Sequence, residues 1–315
     1  MENDYKYMVY VRCMTYNHER YISDALNGFV MQETTFPVVY VIVDDASTDK
    51  TSDVIGDFVK EHFDLADKSV AYVKETDYAR ILYARHKTNK NCYFAVLFLK
   101  ENHYSQRKSK KPYYAEWENK SKYCAVCEGD DYWSVSCKLQ KQVDFLNAHP
   151  DFGMCFHSVN FIYQDGTSRV YSPYPSDVES CPIEDYLKVG GGYAPTCSML
   201  YDWKLLNPTP SFGKVLSTIG DSSLILTLFL RGKVHFMKDV MGNYRVDSVG
   251  SWSQRQKHLS LPQIIKKIKE LRAYWNEVDR YTAGKYAKLI RQRKRHTWLS
   301  FGKALYFWFH NLFSA

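Results

Sequence analysis

Val38-Val39-Tyr40-Val41-Ile42-Val43 runs directly into Asp44-Asp45-Ala46-Ser47-Thr48-Asp49. A continuous, largely β-branched apolar run predicts a strand buried on both faces, as inside a parallel sheet. The abrupt change to Asp, Ser and Thr marks the carboxyl end of that strand, where open α/β sheets bind ligands. The same transition occurs twice more. Met8–Met14 predicts a strand ending in Thr15-Tyr16-Asn17-His18-Glu19, and Cys124–Cys127 predicts one ending in Glu128-Gly129-Asp130-Asp131.

The segments between these strands carry helical periodicity. Tyr21, Ile22, Ala25, Leu26, Phe29 and Val30 share one helix face, and Val54, Ile55, Phe58 and Val59 another. Val70–Val73 is expected as a strand and Tyr93–Leu99 as a helix. Strand–helix alternation implies a mostly parallel sheet with helices on both faces. Further on, Met154–Ile162 reads as a strand, Gly190-Gly191-Gly192 as a flexible break and Leu224–Leu230 as a helix behind Gly220-Asp221. Val234–Met237 and Val240–Tyr244 read as two short strands. Ile264–Trp275 is expected to be helical. Lys285–Arg295 is basic, and Thr297–Phe313 is rich in Trp and Phe.

Composition narrows the class. The chain has 315 residues, 45% hydrophobic and 24% charged, which excludes a disordered or collagen-like polymer. Lys plus Arg is 42 and Asp plus Glu is 35, a net charge of +7. The charge concentrates in Lys100–Lys122 and the tail, and no nucleic-acid recognition motif accompanies it, so no nucleic-acid partner is expected. Eight cysteines are too dilute for a disulfide-stapled fold. Cys124 and Cys127 form a CxxC, but residues three apart on a strand face opposite ways, so buried thiols are expected rather than a metal or redox pair. No signal-peptide pattern opens the chain and no run of 18 uncharged apolar residues occurs, so a cytoplasmic location is expected.

The strand-end residues admit two kinds of reading. Asp130-Asp131 suits Mg²⁺ or Mn²⁺ bridged to substrate phosphates, or a turn capping the next helix. Asp45 suits hydrogen bonds from a base or ribose. Tyr16 suits stacking on a nucleobase, or packing. Asp221 suits a helix N-cap, or a general base within reach of a substrate hydroxyl. Lys100–Lys122 reads as a solvated loop, or as a flap over a phosphate-bearing ligand. The tail's basic run beside clustered Trp and Phe suits an interfacial helix on an anionic membrane, or packing on the main domain.

In order along the chain, several motifs together resemble glycosyltransferase family 2, the inverting enzymes of the GT-A fold. They are Met14-Thr15-Tyr16-Asn17-His18-Glu19, Val43–Asp49, Cys127-Glu128-Gly129-Asp130-Asp131-Tyr132-Trp133 and Lys138–Leu146. Pro195-Thr196-Cys197-Ser198, Gly220-Asp221, Tyr244-Arg245-Val246 and Gly250-Ser251-Trp252-Ser253 follow. The resemblance spans roughly residues 6 to 253 and is closest to bacterial members that build capsular or other surface polysaccharides. It implies a GT-A domain over 1–255, with a nucleotide-sugar half (about 6–150) and an acceptor half (about 151–255), followed by a helical tail, 256–315. By the same resemblance, Tyr16 and Asp45 would hold base and ribose, with Asp130 beside ribose and phosphates. Asp131 would bind the metal, Asp221 would deprotonate the acceptor and Trp252 would line the acceptor side. The donor would be a nucleotide-sugar, UDP-linked by preference. The acceptor would be a saccharide or lipid-linked saccharide at the inner face of the cell membrane. Two positions depart from the family: Arg12 lies inside the first strand, and Ser222 follows Gly220-Asp221 where the family has Trp. The rival readings are a nucleotidyltransferase of related architecture and a non-catalytic binder of nucleotide-sugar or nucleic acid.

Overall fold

The computed structural model describes residues 5–215, 220–248, 254 and 259–296. One mixed sheet runs through the molecule. In chain order the elements begin β1 (Tyr7–Thr15), α1 (Ile22–Val30), β2 (Val38–Asp44), α2 (Thr51–His62), β3 (Phe63–Asp64), β4 (Tyr72–Glu75), β5 (Ala79–His86) and β6 (Cys92–Leu99). There follow α3 (Lys111–Asn119), β7 (Ser121–Val126), β8 (Tyr132–Trp133), α4 (Lys138–Ala148), β9 (Phe152–Ile162) and β10 (Ser168–Tyr171). The last are α5 (Ile183–Val189), β11 (Leu200–Tyr201), α6 (Gly220–Arg231), β12 (Lys233–Arg245) and α7 (Leu261–Tyr281). Strand order across the sheet is β3-β5-β6-β2-β1-β7-β11-β9-β12-β8, with β4 beside β5 and β10 beside β9. The central four strands, β6, β2, β1 and β7, are parallel. The flanks bring antiparallel pairs, so the sheet as a whole is mixed.

Two cores cover the two faces. One packs α1, α2 and α4 through Ile22, Phe29, Ile55, Val59 and Leu139 against Val9, Val11 and Ile42. The other packs α3, α5, α6 and α7 through Trp117, Tyr186, Ile225 and Trp275 against Tyr10, Val41 and Cys124. Cys124 and Cys127 fall in opposite cores, and all eight cysteines are free thiols.

Several elements differ from expectation. Cys92–Leu99 is a strand, not a helix. It pairs with β2 on one side and β5 on the other and is buried on both faces, so its apolar run loses the alternation that separates strand from helix. The expected strand at Val70–Val73 falls at Tyr72–Glu75, an exposed edge hairpin on β5. Val234–Met237 and Val240–Tyr244 belong to one strand, β12. Register shifts flank Val240, and the exposed Lys238 and Asp239 bulge out there. The second half of the Lys100–Lys122 segment folds as α3, whose Tyr114 and Trp117 are buried.

The C-terminal helices pack on the domain. On α7, Tyr274, Trp275 and Val278 are buried, and Phe212 meets Tyr274 and Tyr281 edge-on at 5.9 and 5.1 Å. Residues 287–296 are helical and bury Ile290. Arg293 there lies over the Trp275 ring at 5.8 Å and donates to the Lys188 carbonyl at 2.9 Å. No described helix is long and apolar enough to cross a membrane. Trp252 and the aromatic stretch 297–313 lie outside the described residues.

Candidate functional site

The carboxyl ends of β1, β2 and β7 lie side by side, because these strands are parallel neighbours. At the first two ends the loops bind each other. Asn17 N–H donates to Ser47 Oγ at 2.9 Å, His18 N–H to Thr51 Oγ1 at 2.8 Å and Glu19 N–H to Asp49 Oδ2 at 3.1 Å. Asn17 and Ala46 take φ of 57° and 58°, which turns the chain sharply at each strand end. Tyr16 sits half-buried in this turn.

Asp44 and Asp45 are both buried, and both are engaged by the protein itself. Asp44 accepts from Ser47 N–H and Oγ–H and from the Ser52 hydroxyl. Asp45 accepts His103 N–H at 2.8 Å, Tyr104 N–H at 3.0 Å and Lys110 Nζ at 2.7 Å, while Asn102 Nδ2 donates to the Asp45 carbonyl at 3.0 Å. The first half of the basic segment is therefore tethered to the end of β2. Asp45, expected to face a base or ribose, anchors this loop.

The end of β7 is built differently. Gly129 presses against β1: a Cβ there would meet Thr15 Oγ1 at 2.6 Å. Only glycine lets Gly129 N–H reach the Met14 carbonyl at 2.9 Å and swing Asp130-Asp131 across the strand ends. Asp131 is buried, accepts Arg245 N–H at 2.8 Å and donates its own N–H to the Glu128 carbonyl at 3.1 Å. Asp130 accepts the Ser248 hydroxyl at 2.6 Å. Arg245 donates to the Asp130 carbonyl at 2.8 Å, pairs with Asp24 at 2.5 Å and lies over the Tyr132 ring at 4.7 Å. Its side chain thus braces the turn, and its charge opposes part of the rise at Asp131.

Negative charge is crowded here. Burial pushes Asp131 well above the usual carboxylate range, with Asp130 adding repulsion. Burial likewise raises Glu128 to about 7. Arg12 opposes that rise, Asp130 and Asp221 add to it, and the Met14 N–H, 3.1 Å from Glu128 Oε2, opposes it. Asp221 is also raised, by the protein packed around it and against the pull of Arg12. Its own surface remains open, so it is accessible to solvent rather than sealed in the interior. The departure at Arg12 has its reason here: it is the cation acting on both Glu128 and Asp221.

Asp221 lies in the first turn of α6, one residue inside the described start, rather than at an N-cap; a negative charge there is favoured by the helix dipole. The start of α6 is clamped from below. Tyr186 and Tyr274 hydroxyls both donate to the Ser222 carbonyl, at 2.7 and 3.4 Å. A Cβ on Gly191 would meet Ser222 Oγ at 2.6 Å, so the glycine run is packed against α6 and a small residue is needed after Asp221.

The geometry therefore brings together Asp130, Asp131 and Asp221, with Glu128 and Arg12 beside them, and leaves Asp45 on its loop. Glu128 and Arg245 were missed as site residues, although both stand inside quoted motifs; a strand-end carboxylate before the Asp pair was the available signal. Among the described residues no group of three or more His, Cys, Asp or Glu forms a metal cage. Adjacent carboxylates at a strand end nonetheless suit a hard divalent ion that takes its remaining ligands from substrate phosphates.

No family model matches the chain. Uncharacterized proteins of Mycobacterium bovis and Mycobacterium tuberculosis are 29% identical over 241 residues, covering 76% of this chain and 59% of theirs. The matched region thus spans about three-fifths of those relatives. Among solved structures, Staphylococcus aureus TarS 1-349 in complex with UDP-GlcNAc matches 86% of this chain and 66% of its own, at TM-score 0.57 and 16% identity. TarS 1-349 without that ligand matches 92% and 88%, at TM-score 0.53 and 14% identity. The fold is GT-A-like and matches that of the TarS structures.

Proposed function

We propose that this protein is an inverting glycosyltransferase that moves a sugar from a nucleotide-sugar to an acceptor hydroxyl. The observation that carries this reading is the convergence of Asp130, Asp131 and Asp221 at the carboxyl edge of a GT-A-like sheet. Asp131, with Asp130 beside it, would hold Mg²⁺ or Mn²⁺ against the donor diphosphate. That ion, when bound, offsets charge on the leaving nucleoside diphosphate. Tyr16 forms the wall for the base, and the Asp45-anchored loop 102–110 forms the adjoining wall. Asp221 takes the acceptor proton as the acceptor oxygen attacks the anomeric carbon. The complex of the fold neighbour TarS with UDP-GlcNAc supports a UDP-sugar donor. Trp252 is assigned to the acceptor side and residues 297–315 to an anionic membrane surface, which favours a lipid-linked saccharide acceptor in surface polysaccharide synthesis.

A thermal-shift panel of UDP- and GDP-sugars with Mn²⁺ or EDTA tests this. A true donor stabilises the fold as RT ln(1 + [L]/Kd) and does so more strongly with Mn²⁺. No stabilisation by any nucleotide-sugar overturns the reading. Deleting 297–315 should leave a folded domain with weaker binding to anionic vesicles; unchanged vesicle binding removes the membrane assignment.

A further inference from the structure

A second polar cluster lies beneath the Asp130-Asp131 turn, on the opposite face from Asp221. Lys138 is completely buried and its Nζ has no hydrogen-bond partner. It is the first residue of α4, the end of a helix that disfavours a cation. Its ammonium sits 3.8 Å from the centroid of the Trp133 ring. One turn along α4, Gln142 is fully buried with Oε1 unpartnered. Across on β9, His157 is fully buried with Nε2 unpartnered, its Nδ1 lying 2.8 Å from the Ser158 carbonyl.

A buried, unpaired lysine is costly, and a methionine would fill the same volume without that cost. What the charge does provide is attraction to the face of one indole. Trp133 is the far anchor of the turn. Its indole N–H donates to the Cys197 carbonyl at 2.8 Å, its backbone pairs with Gly242 of β12, and its main chain lies so close to Gly28 of α1 that a Cβ there would meet Trp133 O at 2.8 Å. Asp131 is only two residues away, so a shift of the ring displaces the carboxylate.

We propose that Lys138 is a positioning residue for the nucleotide site: its buried ammonium, seated on Trp133, holds the Asp130-Asp131 turn in its binding geometry. The proposal rests on the reading that this turn meets a nucleoside diphosphate. Burial lowers Lys138 to about 8. The other titratable groups facing it are Cys127 at the end of β7, Cys197 before β11, and Cys155 and His157 from β9, with Cys124 acting on it from the other face of the sheet. Burial raises every one of these thiols, Cys124 to about 11 and Cys155 to about 12, and lowers His157 to about 3. Between pH 6.5 and 9.5 the lysine is therefore the member of the cluster that changes charge.

The test combines two readouts on the full chain. The indole ¹⁵N–¹H signal of Trp133, assigned by its loss in Trp133→Phe, should titrate with a midpoint near 8 in the unmodified protein and stay flat in Lys138→Met. Lys138→Met should keep or raise the melting temperature, yet bind UDP with Mn²⁺ about tenfold more weakly. A merely structural lysine would move stability and affinity together. An indole signal that does not move across this range, or a Lys138→Met variant that binds UDP as tightly as the unmodified protein, overturns the proposal. If Lys138→Met does not fold, the indole titration of the unmodified protein decides, and it must show the midpoint near 8. If the unmodified protein binds no UDP, the proposed function fails, and the indole titration still judges Lys138 on its own.

Discussion

Two sets of carboxylates stand at neighbouring strand ends and are treated in opposite ways. At the end of β2, Asp44, Asp45 and Asp49 are each matched by donors: serine hydroxyls, backbone N–H groups, Lys110 and Thr51. Burial pushes Asp49 up, but the hydrogen bonds from Thr51 outweigh it and hold the group low. At the end of β7 and the start of α6, Glu128, Asp131 and Asp221 are raised by burial, and repulsion between carboxylates adds to the rise at Glu128 and Asp131. The first set is complete within the protein and builds loops. The second is short of positive charge, which we propose a bound metal and donor supply. Sequence alone makes the Asp pairs 44-45 and 130-131 look alike; their partners separate them.

The largest effect expected from this contrast is at Asp221. Asp221→Asn should keep its melting temperature and donor affinity but lose transfer by a factor on the order of 10² to 10⁴, as measured by initial rates. Transfer at close to the original rate would move the base elsewhere. Next comes Asp45→Ala, which strands Lys110 and two backbone donors in a nearly closed site. We expect a loss of about 3 kcal/mol in denaturant unfolding. A loss of only a few tenths would mean the loop does not depend on Asp45, and would return that residue to the nucleotide.

Asp131→Asn should behave in the opposite sense. Stability should hold or rise in EDTA, because like-charge crowding is relieved, while the Mn²⁺-dependent gain in UDP affinity, about 10- to 100-fold, should vanish. Equal UDP affinity with Mn²⁺ and EDTA in the unmodified protein would remove the metal from the reading. The smallest effect is a pH slope. Glu128 has its folded pKa raised from 4.5 to about 7, so the folded state holds the proton more tightly. Its contribution is full below 4.5 and is lost as pH rises toward 7. Compared in EDTA, Glu128→Gln should therefore lose the part of the unmodified protein's stability–pH slope between these values that Glu128 supplies. Parallel slopes in the two proteins would contradict the raised value.

The central strands and their polar ends were legible because parallel strands covered on both faces need continuous apolar runs, and a run cut off by Asp, Ser or Thr marks its own end. Arg12 announced itself as an anomaly in such a run, though not its partners. β6 was not legible: buried on both faces, its apolar run carries no period to separate strand from helix. Nor were the parts of the Lys100–Lys122 segment, which is basic and rich in Tyr throughout. Half of it became α3 because Tyr114 and Trp117 found the sheet, and half became a loop because Asp45 captured Lys110.

The amino-acid order by itself determined where the polar clusters fall along the chain, that Cys124 and Cys127 part to opposite faces, and that Gly129 precedes an Asp pair at a strand end. Those follow from local periodicity and backbone sterics. Only the tertiary structure decided which carboxylates are matched and which are left crowded. It alone placed Lys138 on Trp133 and set Tyr186 and Tyr274 under the helix that carries Asp221. Charge, burial and hydrogen bonding are properties of neighbours distant in sequence, and no local pattern encodes them.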